Sequence, residues 1–308
     1  MICRPGRTWI VPALLFLLCA GCVVFAQSDS GETVSLHVGF GRTSFMNVNL
    51  ADAKAAFKAF TKALGKRKGY DLDVVVYTYD SDEAFQSAVA DGSLHLVIMT
   101  AWEYLSADLR EYLEPRFLAI DSGYGPREYM LLVREDGGHR ELADLREKHV
   151  VLLENTNCEM SEHWLTTLLL EQQLGSDSAF FGHVELVTKP TKALLPVFFG
   201  NADACVVSRP IFETMYELNP QLQRQLRSIA ISEPLIDAVT LVAYDGWTDS
   251  RHRRDLIEAL ESLHEDPQGL QILTLFKAER LAPFEDRYMD GTRELKATHD
   301  RLTKRRTP

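Results

Sequence analysis

The sequence predicts an α/β protein of two lobes, each a mostly parallel sheet flanked by helices, with two strands crossing between them. Three observations carry this prediction. Apolar, β-branched runs alternate with stripes of helical period from Val34 to Tyr104, and again from Val150 to Met215. Strand–helix–strand order of this kind calls for parallel pairing through right-handed crossovers. Two further strand-like runs, Tyr129–Arg134 and Ala238–Tyr244, fall where the chain passes between the alternating blocks.

Taken in order, Ser28–Thr33 is a polar tether and Val34–Phe40 alternates as a first strand. Gly41–Ser44 is a loop. Asn49–Asp52 has the form of a helix cap, and Ala53, Ala56, Phe57, Phe60 and Leu64 make the inward stripe of a helix that Gly69 stops. Leu72–Tyr79 is rich in strand formers. Asp80 or Ser81 caps the next helix, with Phe85, Ala88 and Val89 inward. Leu94–Met99 is a third strand, and Thr100–Tyr104 opens a helix at its end. Arg116–Ile120 and Tyr129–Arg134 are strands around a Gly-rich turn. Leu142–Arg146 is a helical turn, Val150–Leu153 a buried strand and Glu154–Cys158 a polar loop. Ser161–Leu174 is an amphipathic helix with Trp164, Leu165, Leu168 and Leu169 inward.

Val184–Thr188 is a further strand, broken by Lys189–Lys192. Ala193–Phe199 is helical, and Gly200-Asn201 ends it. Ala202–Val207 suits a strand buried on both faces. Ser208-Arg209-Pro210 opens another helix, with proline where its missing N–H costs nothing. Leu226–Ile231 and Ala238–Tyr244 return the chain to the first lobe, and helices over Arg251–Leu263, Gln268–Phe276 and Thr292–Lys304 complete it. The expected division is a leader at 1–26, lobe I at 32–130 and 236–308, and lobe II at 131–235.

Of the 308 residues 46% are hydrophobic and 25% charged, which excludes a globally disordered chain. The net charge of −11 argues against nucleic acid as the main partner, yet leaves room for a small anion held locally by backbone N–H groups. Arg4 and Arg7 precede the apolar run Trp9–Cys19, and Val24-Phe25-Ala26 fits a small-x-small cleavage site. The chain is therefore expected to be exported to the periplasm, starting at Gln27. Ala20-Gly21-Cys22 offers the alternative of lipidation at Cys22, although Cys19 stands where such boxes carry Leu. After export Cys158 and Cys205 remain; they either pair in the oxidising compartment or stay as two buried small residues.

A ligand enclosed between two such lobes meets the loops that follow strand ends. From the first lobe these offer Phe40, Arg42, Thr43 and Ser44, then Thr100, Trp102 and Tyr104. From the second they offer Asn155, Thr156 and Asn157, then Lys189, Thr191 and Lys192, and finally Ser208 and Arg209. Hydroxyls, amides and helix-start N–H groups of this kind suit an oxyanion or a polar zwitterion.

The stretch LPVFFGNADACVV, residues 195–207, followed by ETMYELNPQL, residues 213–222, resembles the phosphate/phosphite/phosphonate substrate-binding proteins of ABC importers. The resemblance extends more loosely from Val34 to Tyr288. It implies a type II periplasmic binding-protein fold, a phosphonate- or phosphite-like ligand, an ABC permease as partner and a monomer without cofactor. Two departures stand out. Where phosphonate binders of this family carry a Ser-Thr-Ser cluster, the chain reads Asn155-Thr156-Asn157, flanked by Glu154 and Glu159. Where they carry a His before the Gly-turn helix, it reads Lys189-Pro190-Thr191-Lys192. These departures keep open a second role, a periplasmic sensor docking on a membrane receptor.

Catalytic and metal patterns are weak. Cys158 and His163 are five apart, not a helical i, i+4 pair, and no third orienting group is evident. Glu159, Glu162 and His163 lack the spacing of a zinc motif. Gly39-Phe40-Gly41 lacks the third glycine of a dinucleotide fingerprint. The expectation is a binding protein rather than an enzyme, with no metal.

Overall fold

β1 (Thr33–Phe40) is the reference strand of the first sheet. It pairs in parallel with β2 (Asp71–Tyr77), from Thr33↔Asp71 to Gly39↔Tyr77, and with β3 (Leu96–Thr100) on its other side. The computed structural model describes residues 33–41, 49–120, 125–153, 160–175 and 177–304. The leader, Cys22, Arg42–Ser44, Asn155–Asn157 and Cys158 lie outside these residues.

Parallel neighbours need a crossover, and α1 (Leu50–Lys68) supplies the first. Asn49 caps it by accepting from the N–H groups of Ala51 and Asp52, and Lys66, Arg67 and Lys68 sit at its negative end. Ala53, Ala56, Phe57, Phe60 and Leu64 are buried, as the 3.6 period requires. α2 (Asp82–Ala90), capped by Ser81, crosses from β2 to β3. α3 (Ala101–Ala107) starts directly at the end of β3. β4 (Leu113–Ile120) then takes the chain to the crossing.

The second sheet opens with β5 (Tyr129–Arg134), followed by β6 (His149–Leu153), α4 (Met160–Glu171), α5 (Asp177–Phe180) and β7 (His183–Val187). α6 (Pro190–Phe199) begins three residues earlier than the periodicity suggests, because Pro190 occupies its first turn. Gly200 closes it at φ 76°, a left-handed conformation costly for a residue with Cβ. β8 (Ala204–Ser208), α7 (Arg209–Leu218), α8 (Gln221–Gln225) and β9 (Leu226–Ile231) complete the lobe. The chain returns through β10 (Ala238–Ala243) to α9 (Ser250–Glu261), α10 (Pro267–Leu275), β11 (Arg280–Pro283) and α11 (Asp290–Lys304).

The strand orders are β11-β4-β10-β3-β1-β2 and β7-β6-β8-β5-β9. Both sheets are mixed. β10 runs antiparallel to β3 and β4, and β5 antiparallel to β8 and β9. These two strands enter their sheets straight from the opposite lobe, without a crossover helix, so nothing imposes parallel direction on them. Of the two strands expected to carry the chain back toward the first lobe, one does not. β9 stays in the second sheet beside β5, and only β10 returns to the first. β11 has no counterpart in the sequence reading; it is four residues long and holds Pro283 at a sheet edge, where a missing N–H is tolerated.

The two crossings touch. Arg127 and Leu235 form a bridge, exchanging N–H···O bonds of 2.8 and 2.9 Å. Ser232 Oγ accepts from Tyr129 N–H at 2.8 Å. The Tyr129 hydroxyl donates to Asp237 Oδ1, and Arg127 Nε lies 3.4 Å from Asp237 Oδ2. α11 braces this junction: Thr292 is fully buried and its Oγ1 accepts from Ile236 N–H at 3.0 Å.

Candidate functional site

The carboxyl end of β3 and the first turns of the helices beside it line a pocket of about 200 Å³ that the second lobe closes. Gly41 and Met99 come from the ends of β1 and β3; Asp82 and Gln86 come from α2; Trp102, Glu103 and Ser106 come from α3. His163, in the first turns of α4, is the second lobe's contribution. This is where an open α/β sheet binds ligands, because crossover helices leave their N-termini at the carboxyl edge of the strands.

The contact across the lobes is aromatic. The His163 imidazole stacks on the Trp102 indole, with centroids 3.8 Å apart and planes 9° from parallel. His299 of α11 meets the same indole edge-on at 5.2 Å, and Lys296 Nζ lies 5.3 Å from its centre. His299 Nδ1 is 2.9 Å from Thr167 Oγ1 on α4. α11 thus holds the Trp102–His163 stack from behind, and burial lowers the pKa of His299.

Glu103 is committed to the frame of the pocket. Its Oε2 accepts from Thr100 N–H at 3.0 Å and from Thr100 Oγ1 at 3.1 Å, while Thr100 Oγ1 accepts from Glu103 N–H at 3.1 Å. This reciprocal cap fixes the entry of α3. Gly41 lies so near it that a Cβ there would stand 2.8 Å from Met99 Cβ and 2.4 Å from Glu103 Oε2.

Several candidate ligand contacts turn out to be structural. Phe40 is 1% exposed; it stacks on Phe276 at 5.6 Å and meets Phe57 edge-on at 5.8 Å, in the core between sheet and helices. The alternation placed it at a strand end, but its side faces inward. Tyr104 is buried, and burial pushes its hydroxyl pKa up. Thr100 is buried in the cap just described. Arg209 Nε donates to Glu128 Oε2, and its N–H donates to Glu128 O at 2.8 Å, so this guanidinium ties α7 to the crossing. Lys189, Thr191 and Lys192 are exposed at the start of α6, outside the pocket lining. Cys205 is a free, fully buried thiol in the middle of β8, with burial pushing its pKa up. The Cys205 side chain belongs to the core beneath α6, and Cys158 lies outside the described residues.

Two candidates keep a place at the ligand side. Trp102 lines the pocket. Ser208 is 3% exposed at the carboxyl end of β8, beside Tyr129 and the crossing. It occupies the cap position of α7 but makes no capping bond, and its Oγ has no hydrogen-bond partner. Reasoning from sequence missed Asp82, Gln86, Ser106 and, as a pocket residue, His163. The helix starts were legible, but nothing in one helix's pattern tells which lobe it will face.

A family model described as "ABC transporter, phosphonate, periplasmic substrate-binding protein" matches residues 47–288. No curated protein matches the chain. Among solved structures, XAC2383 from Xanthomonas citri, bound to ATP, superposes with a TM-score of 0.60 at 16% identity, over 88% of this chain and 98% of that one. A binding protein component of an ABC phosphonate transporter from Pseudomonas aeruginosa gives 0.54 at 13% identity, over 88% of each chain. PhnD1 from Prochlorococcus marinus, in complex with methylphosphonate, gives 0.51 at 16% identity, over 86% of this chain and 98% of that one. At these identities the structural likeness speaks for the fold, and the family match speaks for the class. The chain belongs to the family of periplasmic phosphonate substrate-binding proteins of ABC transporters.

Proposed function

We propose that the protein is exported, closes its two lobes on one small anion of the phosphonate or sulfonate type, and delivers it to an ABC permease. The observation that carries this reading is the pocket at the lobe junction, walled by α2 and α3 on one side and by His163 on the other, beside the two crossings that the described residues show. A rotation about those crossings opens and closes the wall without disturbing either sheet.

The charge of the ligand must be met locally, since Asp82 and Glu103 make the described lining acidic. Gly41 lines the pocket and is followed directly by Arg42, Thr43 and Ser44, which we assign to the anion. Asn155, Thr156 and Asn157 precede α4, whose His163 is already in the wall, and supply amide and hydroxyl donors. The unpaired hydroxyl of Ser208 offers one more donor. Backbone N–H groups and neutral donors bind a tetrahedral oxyanion without a full complement of cations.

A thermal-shift panel tests this. Methylphosphonate, aminoethylphosphonate, phosphite, phosphate, sulfate and an alkylsulfonate are added to the purified protein. A ligand at about 100 times its dissociation constant stabilises by about 2.7 kcal/mol. A shift with phosphonates supports the reading. No shift with any oxyanion, alongside a shift with an amino acid or other neutral metabolite, would keep the fold and overturn the ligand class.

A further inference from the structure

At the far end of the second sheet from the pocket, three metal-ligating side chains converge. The parallel register of β6 and β7 sets His149 directly beside His183. Glu185 follows two residues on, so it stands on the same face as His183. The two imidazole centroids are 4.8 Å apart, and Glu185 Oε2 lies 3.3 Å from His149 Nε2. One ligand atom from each residue lies within 4.8 Å of the other two. Both histidines are pinned through their backbones. His149 N–H donates to Asp203 Oδ2 at 2.9 Å, and its carbonyl accepts from Asp203 N–H at 2.9 Å. His183 N–H donates to Lys148 O at 3.3 Å.

His149 Nε2 is shielded from solvent and makes no hydrogen bond. A nitrogen lone pair and a carboxylate oxygen repel each other across 3.3 Å unless a cation lies between them. Either Nε2 carries the ring proton, or a metal ion lies between them. Donor atoms about 2.1 Å from a tetrahedral zinc stand about 3.4 Å apart, close to the His149–Glu185 separation. His183 is exposed and free to turn its ring to the same point.

We propose that His149, His183 and Glu185 form a binding site for a divalent transition-metal ion of the zinc class, with a fourth position open to solvent. Two imidazoles with one carboxylate favour zinc, nickel, cobalt or copper over calcium and magnesium, which take oxygen ligands. The ion joins β6 to β7, the edge strand of the sheet, whose Leu186 is exposed. It also leaves the ligand pocket free, because none of His149, His183 and Glu185 lines it. No sequence spacing announces the site, since residues 149 and 183 meet only through strand register.

The test is calorimetric titration of chelator-treated protein with Zn²⁺, and with Ca²⁺ for comparison, plus the visible spectrum of the Co²⁺ form. One zinc per chain, no calcium, and a tetrahedral cobalt spectrum are expected. His183→Ala and Glu185→Gln, both at exposed positions, should each weaken zinc by at least about tenfold. His149→Gln should do the same. Absence of saturable zinc binding overturns the proposal and leaves an Nε2–H of His149 facing Glu185. Zinc binding unchanged in His183→Ala and Glu185→Gln also overturns it, assigning the ion to other histidines such as His163 and His299.

Discussion

His95 is held in one tautomer by its surroundings. Its Nδ1 accepts from His37 N–H at 3.0 Å, so the proton resides on Nε2, which donates to Gly246 O at 3.0 Å. Burial lowers its pKa, so the folded protein binds this proton less readily than the unfolded chain does. The stability due to the neutral ring is therefore complete above about pH 6.5 and is lost as pH falls below that value. Urea unfolding at pH 7.5 and 5.5 should show a loss on acidification, and His95→Gln should reduce that loss while lowering stability at both values. Ser208 makes the opposite case. Its buried hydroxyl bonds to nothing, so Ser208→Ala should leave the urea midpoint unchanged or raise it. The same substitution should weaken anion binding by about tenfold, the worth of one hydrogen bond to a charged group. A fall in stability with unchanged affinity would remove Ser208 from the site.

α11 is the element whose role was least legible in the sequence. Its basic, amphipathic run predicts a helix, and the helix is there. Its place, against α3, α4 and the crossing at once, depends on contacts such as Thr292 with Ile236 and Lys296 with Trp102, which no periodicity encodes. Gly291 shows how close the fit is: a Cβ there would stand 2.4 Å from Pro234 O. Gly291→Ala should cost about 1–3 kcal/mol in urea unfolding, as overpacking against rigid backbone does. By contrast, the helix caps Asn49 and Ser81, the Gly200 stop and the buried runs of β6 and β8 follow directly from local chemistry, and each was legible. β9 is the converse case, since its composition suits a returning strand but it stays beside β5. Leu226–Ile231 has the composition of a strand, but strand composition does not say which neighbour it will take. Phe40, Thr100 and Tyr104 show the same limit within the site: position at a strand end was legible, and the direction of the side chain was not.

Across the whole molecule, two mixed sheets are joined by two segments that bond to each other, and a single helix backs both the hinge and the inter-lobe stack. Asp237 concentrates this link, receiving the Tyr129 hydroxyl and lying beside the Arg127 guanidinium. In the proposed role, motion about this junction would change the distance between Trp102 and His163 while each sheet stays intact. The direct test of the central claim is calorimetric titration of the purified protein with methylphosphonate, with sulfate and glycine as comparisons. The account predicts saturable, one-to-one binding of methylphosphonate, weakened by Trp102→Ala, and no binding of glycine. Absence of saturable binding by methylphosphonate, with glycine binding in its place, would contradict it.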